Sequence, residues 1–351
     1  MSNPAGGHAV NPFVMVRPEW LALHREEIID PDLPIIDAHH HLWDRPGWRY
    51  LLDELLEDFN SGHNIVASVY VQAWAMYRAR GEAWMRPVGE TEFVNGAAAM
   101  SASGSYSKTR AIAAIVGYAD LRDAAHVDAV LEAHARTAGA RFRGIRQITA
   151  WDDEPSLNNP EAEARPGMLR DPALRRGVAA LAKAGLTFDA WIYHTQLHDL
   201  AELAQAAPET PMVLNHFGGP LGIGPYEGRG DEVFKNWSAG IRALAQCPNV
   251  SLKLGGLGLR VVGQNLSKLP KPPSSEHLAN LWRPYVETSI EAFGARRCMF
   301  ESNFPVDKAS YSYAVGWNAF KRLAAGASAE ERKYLFSETA RRFYRLDEDL
   351  V

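Results

Sequence analysis

Residues 34–43 of the chain read PIIDAHHHLW, a short apolar run that three histidines follow directly. Side chains alternate along a β-strand, so Asp37, His39 and His41 are expected to share one face. Imidazole is the most common metal ligand in proteins, and two imidazoles at the end of a strand can meet with little rearrangement. The motif alone fits three arrangements: a metal site, a buried hydrogen-bonded histidine cluster, or histidines that only bind a substrate.

Seven further apolar segments of strand length follow this first one. With residues 34–38, they are residues 66–73, 112–117, 142–147, 186–193, 211–216, 249–256 and 297–302. In most of the segments between these strands, the apolar residues recur at helical spacing; examples are residues 124–138, 172–184, 197–207 and 275–293. Alternating strands and helices predict a parallel sheet, and eight units predict an α/β fold of the (β/α)8 TIM-barrel type.

We expect one barrel domain over residues 31–351, with residues 1–30 as an N-terminal arm that packs on it and is helical around Trp20 to Glu27. Long loops are expected after the second and seventh strands, at residues 74–110 and 257–274. Loops that follow barrel strands lie on the catalytic face, so these two should shape a pocket or a lid. A contact between subunits is the alternative reading of both loops.

Polar residues also end other predicted strands. His194 ends the fifth strand and His216 the sixth, so four histidines on three strands are expected to converge. Arg146 lies near the end of the fourth strand. If it points inward, its guanidinium can bind a substrate carboxylate through two parallel hydrogen bonds; the alternative is a salt bridge to a neighbouring helix.

The eighth predicted strand brings Glu301, Asn303 and Asp307 to the same end of the barrel. Lys253 of the seventh strand is expected to face Glu301. An unpaired buried charge is costly, so we expect these two side chains to form an ion pair inside the barrel.

Overall composition narrows the class of protein. The net charge of -5 argues against a general nucleic-acid binder. Two cysteines, Cys247 and Cys298, do not make a disulfide framework in a chain of this length. The first residues lack the pattern of a secretory signal, and no apolar run reaches the length of a membrane span. We therefore expect a cytoplasmic homodimer that acts on a small molecule, with no nucleic-acid or membrane partner.

Five motifs, taken in order, resemble the amidohydrolase superfamily over about residues 34–346: IIDAHHHLWD, LNHFGGP, VSLKLGGL, CMFESNFPVD and SETARRFYRL. The branch with the greatest resemblance contains 2-pyrone-4,6-dicarboxylate lactonase and sugar-acid lactonases such as L-fuconolactonase and L-rhamnonolactonase. The resemblance implies a distorted (β/α)8 barrel and hydrolytic chemistry. It makes His39 and His41 the His-x-His pair, and it assigns His216 and His194 to the histidine positions after the sixth and fifth strands. Several members bind one divalent metal, often zinc, whereas the pyrone lactonase works without an evident metal requirement.

The sequence departs from this family at Asn303. The family's eighth strand usually ends in Ser-Asp-x-Pro, but this chain reads SNFP at residues 302–305. An amide has no useful proton affinity, so Asn303 cannot be the general base, although it can orient water or coordinate through its carbonyl oxygen. The base is then to be sought among His216, Asp307, Glu301 and Asp37.

We expect hydrolysis of a lactone or related ester of a small carboxylated or aromatic molecule, assisted by one divalent metal, zinc, or by histidine and arginine in a metal-free site. The expected metal ligands are His39, His41 and His194, and the expected catalytic residues are His216, Asn303 and Asp307. The expected substrate-binding residues are Arg146, Trp43, Trp74, Tyr77 and Tyr193. The alternatives are a metal-dependent decarboxylase or hydratase of aromatic acids, and a non-catalytic barrel subunit.

Overall fold

The structure is a computed structural model that describes residues 14–350. Eight parallel strands form one sheet in chain order. They are β1 Ile35–His40, β2 Ile65–Val71, β3 Arg110–Gly117, β4 Phe142–Ile148, β5 Thr187–Trp191, β6 Met212–Leu214, β7 Val250–Leu254 and β8 Cys298–Phe300. Each strand lies in a segment that the sequence predicts, or within one or two residues of it, and the (β/α)8 barrel is confirmed.

Hydrogen bonds just beyond β8 close the barrel against β1. The backbone N–H and the hydroxyl of Ser302 donate to Asp37 over 2.9 and 2.6 Å, and the N–H of Asn303 donates to the carbonyl of His39 over 2.9 Å. Burial raises the pKa of Asp37 to about 6, and the donors on its carboxylate oppose this rise. Closure therefore ties the histidine motif directly to the segment that carries Asn303.

Helices cover the outside of the sheet. They are α1 Pro18–Leu21, α2 Leu52–Phe59, α3 Val88–Ala102, α4 Val127–Ala138, α5 Pro172–Lys183, α6 Leu197–Ala206, α7 Gly230–Leu244, α8 Ser275–Phe293, α9 Tyr313–Leu323, α10 Ala329–Lys333 and α11 Thr339–Phe343. A short antiparallel hairpin, Trp43–Arg45 with Trp48–Tyr50, follows β1. The four helices that the sequence predicts are present, and α4 begins three residues later than expected.

The two long connections have different structures. Residues 255–274 after β7 remain a loop with short 3-10 turns, but the segment after β2 is a loop only as far as residue 87 and then forms α3. This helix buries Glu90, Thr91 and Ser101 together with its apolar residues. Because polar and apolar residues share its buried side, the apolar residues of α3 show no clear helical spacing. The sequence pattern therefore did not predict a helix here.

Residues 14–30, the described part of the expected arm, run over the outside of the barrel. The indole N–H of Trp20 donates to the carbonyl of Leu269 over 2.9 Å, and Glu26 accepts the N–H of Ser275 over 2.7 Å. The helix in this segment, α1, is a single turn rather than the longer helix expected through Glu27. Residues 1–13 of the expected arm lie outside the described residues. In the described part of the chain, no helix has the length and apolar character needed to cross a membrane.

Candidate active site

His39 lies at the centre of a polar cluster at the carboxyl ends of the strands. Its Nε2 is 3.2 Å from Nε2 of His41 and 3.2 Å from a terminal nitrogen of Arg146. Its Nδ1 is 3.2 Å from Nζ of Lys253. Burial and the charges of Lys253 and Arg146 hold the pKa of His39 well below its usual range, so its imidazole is neutral.

His216 and Glu301 form the second part of the cluster. Nδ1 of His216 lies 2.6 Å from Oε1 of Glu301, which also accepts the backbone N–H of His216 over 3.1 Å. Burial, then Arg146 and Lys253, lower the pKa of His216, while burial raises that of Glu301 and Lys253 opposes the rise. Because Oε1 of Glu301 accepts from two N–H groups of His216, we take Glu301 as the ionised carboxylate and His216 as the neutral imidazole. The proton of the His216 ring is then on Nδ1, and its Nε2 has a free lone pair.

A pair of glycines makes room for this dyad. A Cβ on Gly256, whose φ is +74°, would lie 2.6 Å from the His216 ring, and one on Gly255 would lie 2.4 Å from Cγ of Glu301. His216 itself has a φ of +53°, which is a strained conformation for a side chain of this kind and is held by its contacts with Glu301. The Gly-Gly pair after the seventh strand is therefore the sequence signal for the close approach of His216 and Glu301.

Three of these residues could hold a metal ion together. His39, His216 and Glu301 offer ligand atoms that all lie within 4.8 Å of one another. Oε2 of Glu301 is 2.9 Å from Nδ1 of His39 but is not aligned with it, and it accepts no hydrogen bond from the described residues. Imidazole nitrogen and carboxylate oxygen are ligands that zinc accepts, and an unpaired buried carboxylate oxygen favours a cation, so the group fits a zinc ion.

The expected ion pair between Lys253 and Glu301 is wrong. Lys253 donates instead to Oδ2 of Asp189 over 2.8 Å, and both side chains are fully buried. Oδ2 of Asp189 also accepts the hydroxyl of Tyr344 over 2.8 Å and the side-chain amide of Asn215 over 3.2 Å. This network lies beneath His39 and places a fixed positive charge next to it.

Asn303 and Asp307 form an amide–carboxylate pair. The side-chain N–H of Asn303 donates to Oδ1 of Asp307 over 2.9 Å, while Oδ2 of Asp307 accepts the hydroxyl of Tyr311 over 2.7 Å and the N–H of Gly258 over 3.0 Å. Burial raises the pKa of Asp307 to about 7, and these donors oppose the rise. The carboxyl group is fully buried and Asp307 does not line the cavity described below. Because the amide N–H is committed to it, Asn303 presents its carbonyl oxygen to the site.

A small cavity, which we call the catalytic cavity, opens onto this cluster. Its volume is about 60 Å³, and its described walls carry two guanidinium groups and no carboxylate. The polar and aromatic residues of its wall are His41, Trp43, Arg45, Trp74, Arg146, Asn159, Trp191, His216 and Asn303. An adjoining outer cavity of about 80 Å³ shares Asn159, Trp191, Leu259 and Val306 with it and is also lined by Val14. The walls favour a flat, anionic molecule.

Glu90 positions the part of the wall that Trp74 forms. One oxygen of Glu90 accepts the N–H groups of Ala73 and Ala75 over 2.7 and 3.0 Å, together with the hydroxyl of Tyr70 over 2.7 Å. The residue between these two amides, Trp74, has a φ of +56°. Glu90 therefore stabilises a strained backbone conformation beside the cavity, and no sequence pattern had marked it out.

The structure brings together only part of the expected site. His39, His41, His216, Arg146, Trp43, Trp74 and Asn303 lie at or beside the catalytic cavity. His194 does not line it; its ring packs edge-on against Tyr226 with a centroid distance of 5.3 Å. Tyr193 lines the outer cavity and donates its hydroxyl to Leu157, and Tyr77 lines a different cavity. Arg45, Trp191 and Glu90 were not expected at the site.

The chain is similar to several known proteins. It is 34% identical over 340 residues to the uncharacterised protein y4mH of Sinorhizobium fredii, covering 90% of this chain and 99% of that protein. It is 30% identical over 238 residues to an L-fucono-1,5-lactonase of Burkholderia multivorans, covering 68% and 73% of the two chains. A solved amidohydrolase from Burkholderia multivorans with bound zinc matches with a TM-score of 0.68 at 27% identity, covering 89% and 99%.

The amidohydrolase family model matches residues 36–346, which span the barrel from β1 to the segment after α11. This range includes the histidine motif, the dyad and the Asn303 segment. With the eight-stranded barrel and the clustered histidines, the match shows that the chain belongs to the amidohydrolase family and is an amidohydrolase-type hydrolase.

Proposed function

We propose that the protein hydrolyses a small lactone that carries a carboxylate. The observation that supports this most directly is the 2.6 Å contact between His216 and Glu301 beside a cavity walled by arginine and tryptophan. The similarity to an L-fucono-1,5-lactonase supports ring opening as the reaction class. The guanidinium of Arg146, which forms no ion pair with the described residues, favours a charged substrate over a neutral sugar lactone, whereas that of Arg45 is already paired with Glu161.

His216 is the proposed general base. Its Nδ1 proton is committed to Glu301, so Nε2 has a free lone pair that can accept the proton of a water molecule as this water adds to the lactone carbonyl. Glu301 orients the ring and stabilises the imidazolium that forms, as the third member of a nucleophile–base–carboxylate arrangement does. Asn303, through its carbonyl oxygen, can accept a hydrogen bond from the attacking water or from a substrate hydroxyl.

Arg146 is the proposed anchor for the substrate carboxylate. Its guanidinium is buried: one terminal nitrogen donates to the carbonyl of Gln72, and the other lies 3.2 Å from Nε2 of His39. A fixed guanidinium binds a carboxylate with two parallel hydrogen bonds and loses little side-chain entropy on doing so. Trp43, Trp74 and Trp191 would then hold the flat ring of the lactone between them.

His39, His216 and Glu301 would hold a zinc ion, as their ligand atoms lie close together. When bound, zinc supplies a Lewis acid that lowers the pKa of the attacking water or polarises the carbonyl. A nitrogen of His216 that binds zinc cannot also accept a proton from water, so His216 is the proposed base of the metal-free form, and the metal-free and zinc-loaded forms are to be assayed separately.

The test is ring opening, followed as proton release, on L-fucono-1,5-lactone and on a carboxylated pyrone lactone. We expect the carboxylated lactone to have a higher kcat/KM by about tenfold or more, because it engages Arg146. Loss of the base in His216→Asn should lower kcat by about 10²–10⁴-fold, with Glu301→Gln also impaired. His198→Asn, an exposed histidine on α6, is the matched control and should retain full turnover.

Full activity of His216→Asn in the metal-free protein would show that the base is another residue. Carbon dioxide release from hydroxybenzoates without any ring opening would support the decarboxylase alternative instead. An absence of turnover on both the lactones and the hydroxybenzoates, with and without zinc, would support a non-catalytic barrel.

A further inference from the structure

The outer cavity adjoins the catalytic cavity and shares part of its wall. Its volume is about 80 Å³, and the shared wall residues are Asn159, Trp191, Leu259 and Val306. All four are half-buried, so each keeps exposed surface that borders the two cavities. Arg146 and His216 line only the catalytic cavity. A ligand whose carboxylate binds Arg146 can therefore extend along the shared residues into the outer cavity.

Apolar side chains form most of the described wall of the outer cavity. Besides the shared residues, they are Val14, Leu157, Tyr193, Val261 and Ala309. No carboxylate lies among the described residues of this wall. Two of its hydroxyl groups are engaged within the protein: Tyr193 donates to the carbonyl of Leu157, and Ser310 donates to the carbonyl of Gly258 over 2.8 Å. The wall therefore favours an alkyl group over a hydroxylated one.

Arg260 is the one charged residue of the described wall, and it does not make the outer cavity an anion site. Its side chain is exposed, and one terminal nitrogen donates to the carbonyl of Ser156 over 2.9 Å. An exposed guanidinium stays hydrated and adds little affinity for an anion. An alkyl chain, by contrast, gains affinity with every methylene that leaves water for an apolar wall.

Trp191 links the outer cavity to the proposed base. Its ring meets the ring of His216 edge-on with a centroid distance of 4.7 Å, and that of Tyr193 with a distance of 5.9 Å. A Cβ on Gly219, whose φ is +48°, would lie 2.8 Å from Cη2 of Trp191, so this glycine leaves the room that the indole needs. The indole is thus held against the base while it forms wall of the outer cavity.

We propose that the outer cavity is a second subsite, which binds a short alkyl substituent of the substrate. The substrate class is then a flat lactone with a carboxylate at Arg146 and an alkyl chain that packs against Trp191, Leu259 and Val261. The position of the carboxylate rests on the proposed function. The subsite adds to it what the remainder of the substrate must be.

Isothermal titration calorimetry on the full chain tests the subsite with three flat carboxylates that are not hydrolysed: 2-furoate, 5-propyl-2-furoate and 5-(2-carboxyethyl)-2-furoate. Burial of one methylene changes affinity by about fourfold, so we expect 5-propyl-2-furoate to bind about tenfold or more tightly than 2-furoate. The carboxyethyl compound has a chain of similar length but should bind more weakly than the propyl compound, because its second carboxylate loses hydration in an apolar cavity.

Two variants of Val261, which lines only the outer cavity, locate the subsite. Val261→Phe fills the cavity and should remove the gain from the propyl group, whereas Val261→Ala removes contacts and should lower this gain by about threefold. Both should leave the affinity for 2-furoate unchanged, with folding checked by circular dichroism. Leu23→Phe, at a side chain 63% exposed just after α1, is the matched control and should change neither affinity.

The subsite is overturned by equal affinities for 2-furoate and its propyl derivative, by tighter binding of the carboxyethyl compound, or by an unchanged propyl gain in the two Val261 variants. Steady-state kinetics separates it from the proposed function. Turnover of a carboxylated pyrone lactone with no gain in kcat/KM from a propyl substituent would refute the subsite alone. A propyl gain in furoate binding without turnover of any lactone would refute the proposed reaction alone, and no binding of any furoate at millimolar concentration would refute both.

Discussion

Replacing Asn303 with aspartate restores the residue typical of the family, and we predict that it destabilises this protein. The side-chain nitrogen of Asn303 lies 2.9 Å from Oδ1 of Asp307, and the two side chains are 1% and 0% exposed. Two carboxylates about 3 Å apart would repel by about 5 kcal/mol at an effective dielectric constant of 20. The pair avoids this by retaining one proton between the two carboxyl groups.

The retained proton makes the loss of stability depend on pH. Burial raises the pKa of Asp307 to about 7, so above this pH the unchanged protein has released its proton while the Asn303→Asp pair still holds one. The unfolded chain has released both protons there, so the loss should grow by about 1.4 kcal/mol per pH unit, or about 3 kcal/mol between pH 7 and pH 9. Urea unfolding of both proteins at the two pH values measures this difference.

The reciprocal double variant, Asn303→Asp with Asp307→Asn, is the control. It again places one amide against one carboxylate, and the oxygen of the new amide at position 307 can still accept from Tyr311 and Gly258. We expect it to recover most of the stability and to lose the pH dependence. If the loss in the single variant were the same at pH 7 and pH 9, or if the double variant were no more stable than the single one, the reasoning about this pair would be refuted.

Three further predictions concern other parts of the site. Arg146→Lys should lower kcat/KM by about tenfold or more for a carboxylated lactone, because an ammonium cannot form the two parallel hydrogen bonds; an equal loss with a neutral lactone in steady-state kinetics would contradict this role. Burial raises the pKa of Glu90 from 4.5 to about 7, so the folded protein keeps a proton that the unfolded chain releases, and its stability should fall by up to about 3 kcal/mol as pH rises through this window. Glu90→Gln should remove that part of the slope in urea unfolding at pH 5 and pH 7.5, and an unchanged slope would argue against this assignment. Tyr344→Phe removes a buried 2.8 Å hydrogen bond to Asp189 and should cost about 1–2 kcal/mol in thermal or urea unfolding, whereas Tyr106→Phe, 48% exposed, should cost nothing; equal effects of the two would contradict the structural role of Tyr344.

Much of the barrel was predictable from the sequence because strands buried on both faces have near-continuous apolar runs. The carboxyl ends of those runs also located His39, His41 and His216 near one another, because parallel strands end on the same face of a barrel. Arg146 was expected to point inward, and the structure places it beside His39. These inferences needed only strand alternation and the order of segments along the chain.

Contacts between side chains were less predictable. Lys253 pairs with Asp189 of β5 rather than with Glu301, which directly follows the adjacent strand β8, because alternate strands of a barrel contribute side chains to the same interior layer. His194 was placed at the cavity by its position near the end of the fifth strand. That strand ends at Trp191, and His194 instead begins a 3-10 turn whose histidine ring faces Tyr226.

The sequence by itself determined the barrel and the end of it that carries the histidine motif. Apolar runs and turn residues are local patterns, and such patterns suffice to predict where each strand begins and ends. Only the tertiary structure decided how the histidines of that motif are used: His216 is bound to Glu301, His39 lies between two cations, and Asn303 is turned by Asp307 to present its oxygen. These pairings join residues distant in the chain or depend on which atom of a side chain is already engaged, and no pattern of spacing encodes that.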